Sequence, residues 1–201
     1  MTATVPAPSR AASSRAARLV SELLDPVPCL VLVTVLTGWH AGRLQGVAWG
    51  LFAAFFSAAV PLALITAGRR LGYWDSRHLP RLKDRLLLLP ACMASVAVGL
   101  AATAALDAPA EITALLVAMV CSAAVVLGIT TVWKVSLHTS VASGTLTVLT
   151  LVYGSPTLVL APLIVLLGWS RVRLGAHTPA QTVVGAVLGT LVGGPVFALL
   201  R

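Results

Sequence analysis

Two stretches of this chain set a cation, a hydroxyl and an imidazole close together in an otherwise largely apolar sequence. They read Lys134-Val135-Ser136-Leu137-His138-Thr139 and Trp169-Ser170-Arg171-Val172-Arg173-Leu174-Gly175-Ala176-His177-Thr178-Pro179. A third stretch, residues 77–85, adds Arg77, His78, Arg81, Lys83, Asp84 and Arg85. Polar groups at the edge of a bilayer are costly, so such interruptions mark a site. The residue types fit phosphate. Arg171 and Arg85 can hold phosphate oxygens through forked, charge-assisted hydrogen bonds. Ser136 can donate its hydroxyl, and the backbone N–H groups of a helix starting near His138 would face an anion. His177 can act as a nucleophile on phosphorus, and His138 can protonate the leaving oxygen. No metal cluster of carboxylates accompanies them, so the cations themselves must stabilise the transition state.

The elements that position these residues follow from composition. Of the 201 residues, 58% are hydrophobic and only 10% charged, against about 25% charged in a soluble domain. Long apolar runs recur along the chain, which predicts an all-α, polytopic transmembrane bundle of six to seven helices. Hydrocarbon leaves no backbone group unpaired, so the spans should be helices, and barrel-type alternation is absent. The formal charge of +8 sits in short loops between apolar runs. Lipid headgroups, anionic substrates and topology account for it, and nothing points to nucleic acid. Cys29, Cys92 and Cys121 are scattered through apolar segments without metal-ligand spacing and read as small hydrophobes.

Residues 1–20 read as a disordered basic tail, and residues 21–201 as a single transmembrane domain. The helices are expected at about 27–42, 45–68, 86–106, 110–132, 138–153, 157–170 and 179–200. The fifth and sixth are too short to span upright, which predicts a buried hairpin at the bundle centre. Gly185, Gly189, Gly193 and Gly194 predict close packing of the last helix. His40 reads as an interfacial residue. With seven spans, the basic tail and all three polar stretches share one face, leaving Arg43 and Arg201 on the other. The positive-inside rule then makes the shared face cytoplasmic, in the plasma membrane of a bacterium.

At this point the spacing resembles a known family. Ser170-Arg171, five residues, then His177 is similar to the third motif of the membrane phosphatidic acid phosphatase type 2 family, related to vanadium haloperoxidases. Val135-Ser136-Leu137-His138 is similar to its second motif, Pro-Ser-Gly-His. His78, six residues, Arg85-Leu86 stands where its first motif has Lys, six residues, Arg-Pro. The resemblance covers about residues 75–200, with motif regions at 77–86, 134–138 and 170–181.

The resemblance implies a helical bundle that hydrolyses a lipid phosphate, isoprenoid or phospholipid, at the bilayer, without metal or other cofactor. It makes His177 the site of a phosphohistidine and His138 the acid for the leaving alcohol. Arg171, Arg85, Ser136 and Ser170 then contact phosphate. The family aspartate that orients the nucleophile falls at Gln181, whose amide accepts a hydrogen bond but brings no charge. The family glycine is Leu137. The family lysine is His78, which leaves Lys134, Arg81 or Lys83 to supply the charge. These departures carry an alternative, a catalytically weak or inactive protein that binds or transports lipid phosphates through the same pocket.

Overall fold

The computed structural model describes residues 10–73 and 82–201; over 10–13 and 82–86 it describes the helical backbone only. His78 and Arg81 therefore lie outside the described residues, and the Lys83 and Arg85 side chains likewise. The described elements are helical: α1 (Arg10–Leu23), α2 (Pro26–Ala54), α3 (Val60–Arg70), α4 (Leu82–Ala105), α5 (Ala110–Thr130), α6 (Leu137–Tyr153), α7 (Ala161–Arg173), α8 (Pro179–Leu188) and α9 (Gly194–Leu200). Among the described residues, five helical stretches are long and apolar enough to cross a membrane, which fits a membrane protein.

The first of those stretches, Ser14–Arg70, is 57 residues long and folds back on itself. Helical geometry fails inside α2 at Gly42 and at Arg43, which has φ +52°. The two arms, 26–41 and 44–54, then run antiparallel. A Cβ on Gly38 would land on the Gly46 carbonyl, and one on Gly50 on the Thr34 carbonyl. Glycine at this seam lets the backbones touch, as small residues do between membrane helices. The sequence-based boundaries at 42 and 45 thus fall at the turn. With α2 folded, α1 is followed by seven helical rods.

Two rods contain a π-helical turn, Phe55–Ala59 and Gly189–Gly193, each followed after one residue by a proline, Pro61 and Pro195. Proline cannot donate to the carbonyl four residues back and its ring crowds that carbonyl. A wider turn just ahead of it relieves the clash and keeps the rod continuous. Carbonyls in hydrocarbon need donors, and the Ser95 hydroxyl donates to the Phe56 carbonyl at 2.7 Å.

Helix α6 lies inside the bundle, packed on α2, α7, α8 and α9. Its Val148 and Leu149 join Val33, Ala114, Leu115, Ala118 and Phe197 in the main core cluster. It runs parallel to the first arm of α2, as the Thr145 hydroxyl–Cys29 carbonyl (3.4 Å) and Tyr153 hydroxyl–Leu36 carbonyl (2.7 Å) bonds show. It also runs parallel to the α8–α9 rod along a ladder of hydroxyls. Thr139 donates to the Thr182 carbonyl at 2.9 Å, and one turn on Ser143 donates to the Ala186 carbonyl at 2.8 Å. The approach is close because α8 brings glycine to it. A Cβ on Gly185 would stand 2.5 Å from the Ser136 carbonyl, and one on Gly189 would strike the Ser140 carbonyl.

Two expectations are corrected. The sixth predicted helix does not form a buried hairpin with the fifth. A 3-10 turn at Ser155–Leu160 extends α7, giving a 19-residue stretch, Ser155–Arg173, of which only 17% of the apolar window is buried. This rod stands at the periphery, while α6 alone is central. Its 17 residues give it a length of about 26 Å, close to a hydrocarbon core. The other correction is at the start of the chain, where Arg10–Leu23 is helix and not disordered tail. Ala17 and Ser21 of α1 are buried, and α1 packs on α7. Apolar contact on one side of α1, with Arg15 and Arg18 exposed on the other, is the gain that orders it.

The α6–α8 seam should tolerate no side chain. Gly189→Val is expected to cost about 2–3 kcal/mol through overpacking, read as a lowered melting temperature in detergent, whereas Gly128→Ala, where a Cβ meets nothing within 4 Å, should leave it unchanged.

Candidate active site

The spacing of the third motif is explained by how α7 ends and α8 begins. Gly175, with φ +66°, takes the left-handed position that lets the chain reverse. Its N–H donates to the Val172 carbonyl at 2.9 Å, and the Ala176 N–H donates to the Arg171 carbonyl at 3.0 Å. Together these form the Schellman closure of a helix. The His177 N–H reaches the same Arg171 carbonyl at 3.3 Å, so the loop folds His177 back beside the arginine. Thr178 then caps α8, with Pro179 in its first turn and Gln181 completing a capping box.

Gln181 has two roles. Its Oε1 accepts the Thr178 N–H at 3.1 Å and faces His177 Nδ1 at 3.3 Å. The backbone donor identifies this atom as the oxygen, because the amide nitrogen could not accept it. His177 must therefore donate from Nδ1, which leaves the Nε2 lone pair as the nucleophilic position. The amide thus keeps the orienting contact expected of it, without a negative charge.

The second motif is tied to the third through backbone groups. The Ser136 N–H donates to the Gln181 carbonyl at 3.2 Å. Ser136, fully buried, caps α6 by accepting the Thr139 N–H at 3.4 Å. Lys134 Nζ donates to the Ala176 carbonyl at 2.7 Å, which pins the loop just before His177. Its ammonium thus serves the loop as well as any anion. The Ser170 hydroxyl donates to the Leu167 carbonyl at 2.8 Å, one turn back in its own helix. Trp133 and Trp169, ahead of the two motifs, are exposed, as interface aromatics would be.

Arg171 and His138 are both buried, at 4% and 8% exposure. Each meets a side chain from the start of the chain that the sequence reading missed. Arg171 Nη1 donates to the Ser21 hydroxyl at 2.7 Å. His138 Nε2 lies 3.5 Å from Asp25 Oδ2, while Asp25 Oδ1 caps α2 through the Val27 N–H at 3.1 Å. Asp25 before Pro26 is legible as a helix start, but nothing in the sequence places that start against His138. Arg85 lies in the first turns of α4.

Asp25, His138 and Arg171 form the polar end of a cavity of about 290 Å³. Its remaining wall is mostly apolar, with Leu30, Val33, Leu62, Ile65, Met93 and Val141 from four rods. His177 and Ser136 are not in that wall; they sit on the α8 side of the cluster. Arg43 and Arg201 lie at the opposite end of the bundle. Arg43 stacks over Trp39 at 5.3 Å, Arg201 donates to the Leu151 carbonyl, and His40 meets the Tyr153 ring edge-on at 5.7 Å.

The family model of the PAP2 superfamily matches residues 130–201. Over this stretch, the PAP2 segment, the chain is similar to that superfamily. The segment contains α6 to α9 and both histidine motifs, so the resemblance read from the sequence is shown there, over a shorter span than 75–200. Proteins of that superfamily are generally phosphatases. No curated protein and no solved structure matches the chain. Helices α1 to α4, with Asp25, Ser21 and residues 77–86, stand outside the PAP2 segment.

The Lys134 tether should matter for the loop itself. Lys134→Met removes a charge-assisted bond, which contributes about 1.5–3 kcal/mol locally. Faster hydrogen–deuterium exchange across 174–177, with α6 unchanged, is the expected result.

Proposed function

We propose that this protein is an integral-membrane lipid phosphatase that hydrolyses a lipid phosphate, isoprenoid or phospholipid, through a phosphohistidine. The observation that carries the reading is the cavity: a polar end with a buried arginine and histidine, continuous with an apolar wall inside the bundle. A phosphate headgroup suits the first part and a hydrocarbon tail the second. Arg171 holds phosphoryl oxygens, and Arg85 on α4 is a second candidate. The N-termini of α6 and α8 carry partial positive charge that favours an anion.

His177 Nε2 attacks phosphorus while the bond to the lipid oxygen breaks. His138 gives its proton to that oxygen, so the lipid leaves as an alcohol. Water then attacks the phosphohistidine, His138 takes a proton from it, and inorganic phosphate is released with both histidines restored. Positive charge from Arg171 and the helix ends stabilises the charge on the transferred group. The site end is the cytoplasmic one by the positive-inside rule, in a bacterial plasma membrane, so substrates of the inner leaflet reach it.

The test is phosphate release from a panel of lipid phosphates by purified protein. His177→Ala should abolish release, and equal activity in the two proteins would remove the assigned nucleophile. Gln181→Glu keeps the reach to His177 and Thr178 and adds the missing charge. It should raise turnover several-fold, because a carboxylate within about 4–6 Å stabilises the imidazolium form. The Gln181 substitution also motivates the binding or transport reading. An inert wild type whose lipid-phosphate binding is lost in Arg171→Ala and kept in His177→Ala would favour it.

A further inference from the structure

We propose that Asp25 is a positioning residue for His138, so that the active site has an essential part outside the PAP2 segment; the proposal rests on the phosphatase reading above. Asp25 and Ser21 are one helical turn apart, spanning the junction of α1 and α2. From that junction a hydroxyl reaches Arg171 at 2.7 Å and a carboxylate reaches His138 at 3.5 Å. Both receiving side chains are buried, and all but Ser21 share the cavity wall. A carboxylate beside a largely buried imidazole is not a casual surface pair. Side-chain exposures are 10% for His138 and 17% for Asp25, so water screens the pair little.

The chemistry follows from where the negative charge has gone. The PAP2 segment has an amide, Gln181, on His177 and so supplies no anion to either histidine. Asp25 supplies one, and to the other histidine. An anion next to an imidazole favours the imidazolium and fixes the ring. That is what a proton donor to a departing alkoxide needs. In the first step, the proton passes from His138 to the lipid oxygen as the P–O bond breaks, and the pair becomes neutral imidazole and carboxylate. In the second, His138 takes a proton from the attacking water and the ion pair is restored. The other charged group of the cavity wall is Arg171, held by the Ser21 hydroxyl one helical turn before Asp25. The 3.5 Å separation is an ion-pair contact.

The substitution that isolates the charge is Asp25→Asn. Asparagine caps a helix about as well as aspartate, so the bond to the Val27 N–H and the start of α2 are kept. The full chain in detergent is assayed on two esters with the same alkyl tail, an alkyl phosphate and a nitrophenyl phosphate. The alkyl ester needs protonation of its leaving oxygen, and the nitrophenyl ester does not. Asp25→Asn is expected to slow the alkyl ester roughly ten- to hundred-fold, a part of what a general acid contributes. In the first-turnover burst, which reads phosphorylation of the enzyme alone, the nitrophenyl ester should stay within about twofold of wild type, and Asp25→Glu should recover part of the loss on the alkyl ester. Equal losses on both esters, or no loss on either, would overturn the role of Asp25 and leave the phosphatase reading standing. A wild type inert toward both esters would overturn both.

Discussion

The seam between α6 and α8 is the contact on which the rest of the structure depends. The bilayer interior offers no water, so polar side chains there must find partners within the protein. Thr139 and Ser143 find theirs in carbonyls of the neighbouring rod, and glycine at 185 and 189 brings that rod within reach. Because the two helices run parallel, their N-termini emerge on one face. Ser136 and Thr178, the caps of those helices, belong to the two motifs of the site. Antiparallel packing would have put the histidines about 30 Å apart, on opposite sides of the membrane.

The charges follow from this arrangement. Three helix N-termini, those of α2, α6 and α8, meet the C-terminal turn of α7 at one end of the bundle. The N-terminal ends carry partial positive charge, which Asp25 offsets on α2 and an anion would offset on the other two. Gln181 fits the same pattern, since an amide oxygen caps its helix and orients His177 without cancelling the positive field there.

Much of this was legible in the sequence, for physical reasons that differ by element. The Arg171–His177 spacing was legible because it encodes a local event, the end of one helix and the start of the next. The small residues of α8 were legible because only close packing calls for glycine every four residues. The π turns were not, because the apolar pattern that carries the helices through Pro61 and Pro195 does not show how a widened turn accommodates each ring. The exposure of α7 was missed because length was counted in α-helical residues and the 3-10 turn at Ser155–Leu160 was not foreseen. Asp25 and Ser21 escaped because their partners lie far along the chain, where motif spacing has no reach. The first motif, His78 to Arg85, rests on residues whose side chains are not described.

The seam has a consequence for how such a protein drifts. Its hydroxyls come from α6, but its acceptors on α8 are main-chain carbonyls, those of Thr182 and Ala186. A carbonyl is present whatever side chain the residue carries. Selection at this contact therefore falls unevenly. On α6 it reads the identity of a donor, on α8 only the smallness of Gly185 and Gly189, and at the accepting positions nothing at all. Two helices that touch along one line are free to diverge by different rules.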